Sequence, residues 1–235
     1  ELVKNFSKKG WDCFGMDICK ESSNPNLKGY LNGDVRERES FKDFFKFVNI
    51  NEIRFGEVLL INNAGVAVFT PSEERTYEEY REVSDINLFG PIVGITEFYK
   101  FFVKPYKDLK EKKCSIINIA SIYGLIAPNQ KIYTDTQRNS SEIYGASKAG
   151  LIQLTKYFAT RYAKDDLQIN CIAPGGIYNK ESQGSGFLKN YSDLVPQNRL
   201  CRVQELSNLI CSLVESNCKY LTGQTLSLDG GMSAW

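Results

Sequence analysis

The sequence predicts an α/β fold: a doubly wound, Rossmann-type parallel sheet covered by helices on both faces, in three layers. Three observations lead to this prediction. Short apolar segments alternate with helical patterns of about ten or more residues, which is typical of consecutive βαβ units. The apolar segments are nearly continuous, as expected of strands buried on both faces. No repeat, low-complexity tract or linker divides the 235 residues, so we expect residues 1–235 to form a single domain.

Six segments are predicted as strands because each is short, largely apolar and closed by Asn, Asp, Ser or Gly. In chain order they are residues 11–18, 29–35, 58–65, 115–121, 167–176 and 225–231. Helical patterns lie between them, at residues 38–47, 76–88 with a continuation to 102, 142–163 and 203–215. Residues 1–10 have the pattern of the end of another helix.

The composition excludes several classes of function. Lys and Arg total 29 against 28 for Asp and Glu, so no basic surface indicates a nucleic-acid or membrane partner. No apolar run approaches the roughly 20 residues of a membrane helix. The absence of histidine rules out Ser-His-Asp hydrolysis, Cys-His proteolysis and histidine-based metal sites, and we expect no metal. The seven cysteines form no C-x-x-C pattern and predict free thiols in a reducing cytoplasm.

Polar residues stand at the carboxyl ends of the predicted strands, where ligands bind in open α/β sheets. Asp34 and Val35 end the second strand, and Ser121 ends the fourth. The third and fifth strands close with the motifs NNAG and PGG. These residue types are also common turn formers, so each motif alone fits a structural turn equally well. Their joint occurrence at one edge of the sheet predicts a ligand site there.

One predicted helix, SEIYGASKAGLIQLTKY at residues 141–157, carries Tyr144 and Lys148 four positions apart. Residues with this spacing share a helix face, so the phenol and the ammonium can meet or hold one ligand. Small residues surround the pair. Glycine weakens a helix interior by up to about 1 kcal/mol, so its presence indicates a close approach to the backbone. Taken alone, the spacing also fits a surface Tyr/Lys pair.

Taken together, these motifs resemble those of the short-chain dehydrogenase/reductase family. In order, they are NNAG, DINLFG with Asn87, IAS ending at Ser121, YGASK with Tyr144 and Lys148, and PGG. The resemblance covers nearly the whole chain and implies a Rossmann-type fold with a nicotinamide cofactor. It also implies four catalytic roles. Tyr144 is the acid/base, Ser121 orients the substrate, Lys148 holds the nicotinamide ribose, and Asn87 anchors a proton-relay water.

These residue types suit hydride transfer in a chain without histidine. A hydride that leaves an alcohol carbon requires a base for the hydroxyl proton. The pKa of free tyrosine, near 10, is too high for an efficient base at neutral pH. A lysine cation within about 4–6 Å favours the phenolate. We therefore expect Lys148 to lower the pKa of Tyr144, and the small neighbours to leave room for the cofactor.

NAD is the expected cofactor, with NADP less favoured. Asp17 ends the first predicted strand, where a carboxylate can accept hydrogen bonds from both ribose hydroxyls and would repel a 2′-phosphate. Asp17 also fits a simple turn residue, and the nearby Lys20 works against the NAD assignment.

Further cofactor contacts come from the resemblance alone. It implies that Asp34 and Val35 contact the adenine and that Asn63, Ala64 and Gly65 pass beside the adenine ribose. The other residues that it assigns to the cofactor, besides Tyr144 and Lys148, are Pro174, Gly175, Ile177 and Asn179. Asn179 stands where the family commonly has a threonine, and its amide can bond the nicotinamide carboxamide.

The sequence departs from the family pattern in two large features. Nothing matches the family's first strand and its Thr-Gly-x-x-x-Gly-x-Gly turn. We therefore expect roughly 20 further residues upstream of Glu1, and an interrupted ladder between strands 11–18 and 58–65. In addition, Ser121 and Tyr144 lie 23 positions apart, about ten more than usual. The extra residues, including Tyr133, Asp135 and Arg138, are expected to shape the substrate mouth, or else form a tolerated surface insertion.

The substrate is expected to be a polar small molecule such as a sugar or polyol. Residues 178–200, the predicted lid, are rich in Asn, Ser, Gln, Lys and Gly, whereas a steroid or fatty-acyl pocket would expose more apolar surface. The long insertion and the DGGMSAW ending resemble family members of bacterial surface-glycan pathways. Two alternatives stay open: a sugar-nucleotide epimerase or dehydratase, and a non-catalytic cofactor-sensing or scaffold protein on the same fold.

Self-association is also expected. The resemblance implies a homodimer or homotetramer built on the helices at 76–102 and 142–163. Apolar positions such as Ile152, Phe158 and Ala159 suggest more apolar surface on these helices than one sheet face can cover.

Overall fold

The computed structural model describes residues 1–50, 56–106, 108, 112–134, 139–181, 183–216 and 218–234. Its strands are β1 (Phe14–Asp17), β2 (Gly29–Asn32), β3 (Glu57–Asn62), β4 (Lys113–Ile119), β5 (Leu167–Pro174) and β6 (Thr225–Leu228). Its α-helices are α1 (Leu2–Lys8), α2 (Arg38–Ile50), α3 (Tyr77–Ser84), α4 (Gly90–Phe98), α5 (Glu142–Tyr162), α6 (Ser185–Leu194) and α7 (Val203–Glu215).

All six predicted strands are present in the predicted order, and all pairings are parallel, which confirms the α/β assignment. Five of the six strands are shorter than predicted, and β4 has the predicted length but lies two residues earlier in the chain. β3 pairs with β4 only as far as Asn62 opposite Asn118. Asn63, Ala64 and Gly65 leave the sheet as an exposed loop instead of extending the strand.

The strands form two sheets. One contains β1 and β2, and the other has the order β3-β4-β5-β6. Among the described residues no ladder joins β1 to β3, which is where the sequence analysis expected an interruption. The carboxyl ends of β3, β4 and β5 meet at one edge, so the polar residues that follow these strands are brought together.

Helices pack on both faces of the larger sheet, which confirms the three-layer arrangement. Consecutive side chains of a strand point to opposite faces. Accordingly, Ile116 of β4 lies in one core cluster with Phe98 of α4. Its neighbour Ile117 lies in another cluster with Phe6 of α1 and Ile210 of α7.

A long helical run crosses the first of these faces. It comprises α3, a wide π-helical turn at Asp85–Phe89, α4, a second such turn at Tyr99–Val103 and a short 3-10 turn at Lys104–Tyr106. Contrary to the expectation that no segment reaches membrane length, this run is long and apolar enough to span a bilayer by length and composition alone. Core helices of soluble proteins pass the same test, and Ile95, Phe98 and Phe102 of this run are buried in the core.

The lid and the insertion pack against each other. The lid contains helix α6, which the sequence analysis did not predict, and the insertion contains a 3-10 turn at Gln130–Ile132. Asn190 Nδ2 of α6 donates to Thr134 Oγ1 at 2.8 Å. The ring of Tyr133 stacks on that of Phe187 with 5.6 Å between centroids. The predicted mouth residues Asp135 and Arg138 lie outside the described residues.

One argument for self-association is wrong. Ile152, Phe158 and Ala159 were expected to add apolar surface to the helix, but all three are buried within this chain. Phe158 and Ala159 belong to the core cluster shared with α2 and α4. The large apolar side chains that these helices do expose are Tyr77, Phe89 and Tyr157.

The cysteines are free, as predicted. None of the seven forms a disulfide. Cys114, Cys171 and Cys211 are buried, whereas Cys19 and Cys218 are exposed. Burial raises the pKa of the Cys114 and Cys171 thiols to about 11, so both are protonated at neutral pH.

Candidate active site

The start of α5 presents Tyr144 and Lys148 on one face. Ser141 is the N-cap, and its Oγ accepts a hydrogen bond of 3.2 Å from the backbone N–H of Tyr144. Lys148 lies one turn later, with its Nζ 5.7 Å from the centroid of the Tyr144 ring. The predicted pairing on one helix face is therefore present, at a distance longer than direct contact.

Lys148 is a buried cation, with 4% of its surface exposed. Its Nζ donates a hydrogen bond of 2.9 Å to the carbonyl oxygen of Ile119, at the end of β4. Burial lowers the pKa of Lys148 to about 8. Because an ammonium has three hydrogens, this bond leaves two for a ligand.

Ser121 stands directly after β4 and faces Tyr144. It caps the short turn Ile122–Gly124, where its Oγ accepts from the Tyr123 N–H at 3.1 Å. Burial raises the pKa of Tyr144 above 10, and a hydrogen bond with Ser121 opposes the rise without cancelling it. The expected net lowering of this pKa is not found in this structure, because desolvation of the buried phenolate is the largest effect on it.

Asn87 is fully buried in the wide turn Asp85–Phe89 and ties two segments together. Its Oδ1 accepts from the Val66 N–H at 2.8 Å, and its Nδ2 donates to the Val66 carbonyl at 2.8 Å. Nδ2 also donates to Ser147 Oγ of α5 at 3.2 Å. The side chain thus holds the loop after β3 against α5. Its role as an anchor for a relay water stays a prediction.

Gly65 opens the space in front of these groups. A Cβ atom at this position would lie 3.3 Å from both Asn87 Oδ1 and Lys148 Nζ. A side chain here would crowd the amide and the ammonium, so glycine leaves them accessible from the exposed loop. We call this open space, bordered by Gly65, Asn87 and Lys148, the Gly65 cradle. A sugar hydroxyl of a cofactor would need such a space.

The residues predicted for the adenosine end lie at the ends of β1 and β2. Asp17 is exposed, and its Oδ1 accepts from the Cys19 N–H at 3.1 Å, so it also serves the turn that the sequence analysis kept as an alternative. Asp34 is bound by Arg36, whose Nε lies 2.9 Å from Oδ2, and this hydrogen bond lowers the pKa of Asp34. Val35 packs against Gly90, where an added Cβ would lie 3.2 Å away.

The loop after β5 holds the remaining predicted cofactor residues. Pro174 is buried, and the Gly175 N–H donates to the Leu228 carbonyl at 2.9 Å. Ile177 forms an isolated bridge with Cys201. Asn179 is exposed, and its Oδ1 accepts from the Glu181 N–H at 3.0 Å. The backbone N–H of Asn179 donates to Gln183 Oε1 at 2.9 Å, whereas its side-chain Nδ2 has no hydrogen bond among the described residues.

Comparison with known proteins identifies the family. Residues 4–233 match the family model described as enoyl-(acyl carrier protein) reductase. The chain belongs to the short-chain dehydrogenase/reductase family. Among its relatives, a post-translational flagellin modification protein A of Campylobacter coli is 31% identical over 67% of this chain and 59% of its own length. The 3β-hydroxysteroid dehydrogenase 1 of Eggerthella lenta is 30% identical over 77% of this chain and 66% of its own length. The chain thus spans less than two thirds of either relative.

Solved structures share the fold over the full chain. A short-chain dehydrogenase from Leptospira borgpetersenii with bound NAD+ is 33% identical, with a TM-score of 0.84 over 99% of this chain and 87% of that one. ElxO with bound NADP has a TM-score of 0.81 over 100% of this chain and 93% of that one. At 22% identity, ElxO supports the fold alone.

Sequence reasoning missed several buried polar residues of this family member. Asn118, one residue before the end of β4, is fully buried; it accepts from Asn62 Nδ2 at 2.8 Å and donates to Thr155 Oγ1 at 2.9 Å. An asparagine inside an apolar strand is a signal that could have revealed it. Arg75 and Glu142 were also missed, because a pair 67 positions apart leaves no local pattern.

Proposed function

We propose that this chain is an NAD(P)-dependent oxidoreductase that transfers a hydride between a nicotinamide cofactor and an alcohol or carbonyl group. One observation carries the proposal. The buried ammonium of Lys148 opens onto the Gly65 cradle, one helical turn from a tyrosine that lies beside Ser121. A buried cation, an acid/base and an orienting hydroxyl at the sheet's ligand edge suit this reaction.

The residues present fit a nicotinamide nucleotide. Lys148 has two ammonium hydrogens left after its bond to Ile119, which suits a ribose diol. Asn63, Ala64 and Gly65 are exposed along the loop beside it. When bound, the nicotinamide would supply or accept the hydride.

The protein's own residues would manage the proton. Because burial raises its pKa, Tyr144 carries its proton at neutral pH and can donate it to a carbonyl oxygen during reduction. In the opposite direction Tyr144 would first lose its proton to solvent, and the phenolate would then take the hydroxyl proton of the substrate. Ser121 is within hydrogen-bonding reach of Tyr144, so a substrate oxygen between them receives one bond from each.

Within this proposal NAD is preferred over NADP. Asp17 supports the preference because its exposed carboxylate stands at the end of β1 and retains Oδ2 for a ribose hydroxyl. The test compares NADH and NADPH affinities by fluorescence in the wild type and in Asp17→Ser. We expect tighter NADH binding, with the difference reduced in the variant. Tighter binding of NADPH by the wild type would contradict the preference.

For the substrate we propose a polar sugar-like or polyol alcohol of a bacterial surface-glycan pathway, as the flagellin modification relative supports. The steroid dehydrogenase relative favours a second candidate, an apolar ring alcohol. So do the aromatic residues that α6 presents to the insertion, Phe187 and Tyr191. A turnover panel of hexoses, polyols and nucleotide sugars against steroid alcohols would separate the two candidates.

The decisive experiment for the activity is binding followed by turnover. NADH titrated into the protein should give saturable fluorescence enhancement, and the panel should then yield cofactor oxidation or reduction. Binding without turnover on any alcohol or carbonyl would favour the cofactor-sensing alternative. Production of an epimer or dehydrated sugar without net cofactor change would favour the epimerase or dehydratase alternative. Absence of binding would refute the proposal.

We also propose a homodimer or homotetramer in the cytoplasm, with residues 1–235 as one domain. Exposed Phe89 and Tyr157, on the helical run and α5, support self-association. Seven free thiols support a reducing compartment. Light scattering at micromolar concentration should give a multiple of the chain mass, and unfolding should occur in one transition. A monomer mass would refute the first point.

A further inference from the structure

The carboxylate of Glu142 accepts hydrogen bonds from three side chains in two separate segments. Its Oε2 accepts from Ser72 Oγ at 3.0 Å and from the guanidinium of Arg75, both in the loop after β3. Its Oε1 accepts from the hydroxyl of Tyr80 in α3 at 2.8 Å. Glu142 itself is the first residue of α5, two positions before Tyr144. One side chain thus joins the loop, α3 and the start of α5.

Arg75 is the unusual member of this group because its side chain is fully buried. Besides Glu142, it donates to the carbonyl of Thr70 and, at 3.3 Å, to Asn139 Oδ1 at the end of the insertion. Burying a guanidinium is unfavourable unless its partners are held in good geometry. The Arg75 guanidinium also lowers the pKa of Glu142 to about 2, so the pair is ionised throughout the neutral range.

The first turn of a helix needs contacts of this kind to stay ordered. The first backbone N–H groups of a helix have no partner within it, so first turns fray unless they are capped or packed. Ser141 caps α5 but holds only the N–H of Tyr144. The Asn87–Ser147 bond fixes the next part of the helix to the loop. Glu142 supplies a further tie, in the same first turn of α5 as Tyr144.

From this geometry we infer that Arg75 and Glu142 are positioning residues for Tyr144. The inference rests on the proposed oxidoreductase function. The pair locks the first turn of α5 to the β3–α3 loop, the segment that also carries Gly65 and is bonded by Asn87. The tyrosine hydroxyl is thereby held at fixed distances from Ser121 and from the cofactor cradle.

The test compares Glu142→Gln with Glu78→Gln, which makes the same chemical change at an exposed position in the first turn of α3. Displacing an acid/base by about 1 Å can cost about 100-fold in rate. We expect Glu142→Gln to lower kcat by about 100-fold with NADH affinity nearly unchanged, and Glu78→Gln to change neither. Arg75→Lys should lower kcat in the same way, since it keeps the charge but not the fork of donors.

Two results would overturn the inference. One is a wild-type kcat in Glu142→Gln. The other is an equal loss of kcat, NADH affinity and thermal stability, which would mark a general structural role instead of a positioning one.

A second readout separates this inference from the proposed function. Tyrosine labelled with 13C at Cζ gives one resonance per ring, and Tyr144→Phe assigns the relevant one. We expect that resonance to shift and to titrate differently in Glu142→Gln but not in Glu78→Gln. An unchanged resonance would overturn the positioning inference alone. A wild type that neither binds NADH nor turns over any substrate would instead overturn the proposed function.

Discussion

Lys148 donates a hydrogen bond of 2.9 Å to the carbonyl of Ile119, and this is the one hydrogen bond of its ammonium among the described residues. The bond ties the middle of α5 to the end of β4. A single carbonyl dipole compensates little of the cost of removing an ammonium from water. The site therefore maintains a cation that lowers the stability of the fold, a common property of functional sites.

Replacing Lys148 by Met should stabilise the cofactor-free protein at pH 7 by about 2 kcal/mol. Burial lowers the folded pKa from 10.5 to about 8, so the unfolded state binds more protons between these two values. The penalty is complete below pH 8 and is lost as the pH rises towards 10.5. The stabilisation by Met should shrink accordingly.

Urea unfolding of both proteins at pH 7 and pH 10 measures this difference. Lys156→Met, an exposed change on the same helix, is the control and should show no such pH dependence. A Lys148→Met protein less stable than the wild type at pH 7 would contradict the prediction. The variant should also bind NADH more weakly, because the ribose loses its cation.

Replacing Tyr144 by Phe should abolish turnover and leave NADH affinity nearly intact. The hydroxyl acts on the substrate proton, whereas the cofactor keeps its contact with Lys148. Steady-state kinetics and fluorescence titration give the two quantities. Tyr157→Phe removes a hydroxyl from an exposed ring of α5 and serves as the control. If Tyr144→Phe retained more than about a tenth of the wild-type kcat, the acid/base assignment would be wrong.

Gly124 contacts the backbone of α5 at Lys148. An added Cβ would lie 2.7 Å from the carbonyl carbon of Lys148 and 2.8 Å from the N of Ala149. Because backbone atoms cannot move aside as a flexible side chain can, Gly124→Ala should displace the helix. We expect a loss of about 1–3 kcal/mol in the free energy of unfolding and a lower kcat.

Gly15→Ala is the matched change for Gly124→Ala. Its added Cβ would meet the mobile side chain of Leu27 first, at 3.1 Å. Thermal melts and steady-state kinetics of the two variants give the comparison. Equal losses of stability and kcat in the two variants would show that the contact of Gly124 with α5 matters no more than the contact of Gly15 with Leu27.

The Asn62–Asn118 pair should contribute measurably to stability. Asn118→Ala leaves the amide of Asn62 without its acceptor in the core and removes one bond of the Thr155 hydroxyl, which keeps its bond to the Leu151 carbonyl. We expect destabilisation by about 2–4 kcal/mol, from the unpaired groups and the cavity together. A double-mutant cycle with Asn62→Ala, followed by urea unfolding, should give a coupling energy above about 0.5 kcal/mol. Additive effects would mean that the side-chain bond is unimportant.

The sequence was sufficient for the order of strands and for the residues at their ends. The reason is that apolar runs and turn formers are local signals that survive in any globular context. Helix α7, at Val203–Glu215, was predicted to the residue because one apolar stripe faces the core. Helix α6 was missed although Phe187, Tyr191 and Leu194 have helical spacing, because the polar composition of the lid is typical of a loop.

The sequence was sufficient to predict which residues stand in the site, but not the directions of their pKa shifts. The spacing of Tyr144 and Lys148 placed them on one face, but their depth depends on packing by the whole sheet. Desolvation therefore decided both pKa directions, and no local pattern could report it. The Arg75–Glu142 pair was beyond reach for a related reason, since it forms only after two distant segments fold together.

The buried thiols make local opening of the sheet measurable through the rate at which they are alkylated. Cys114 in β4 and Cys171 in β5 are protonated and enclosed, so an alkylating reagent reaches them only when the neighbouring helices lift away. Cys19 and Cys218 are exposed, so they react first and define the start of the alkylation time course. The delay between the two classes measures the free energy of opening beside Lys148. Filling the cradle with a nucleotide would lengthen that delay, so the chain reports occupancy of its own site without an added label.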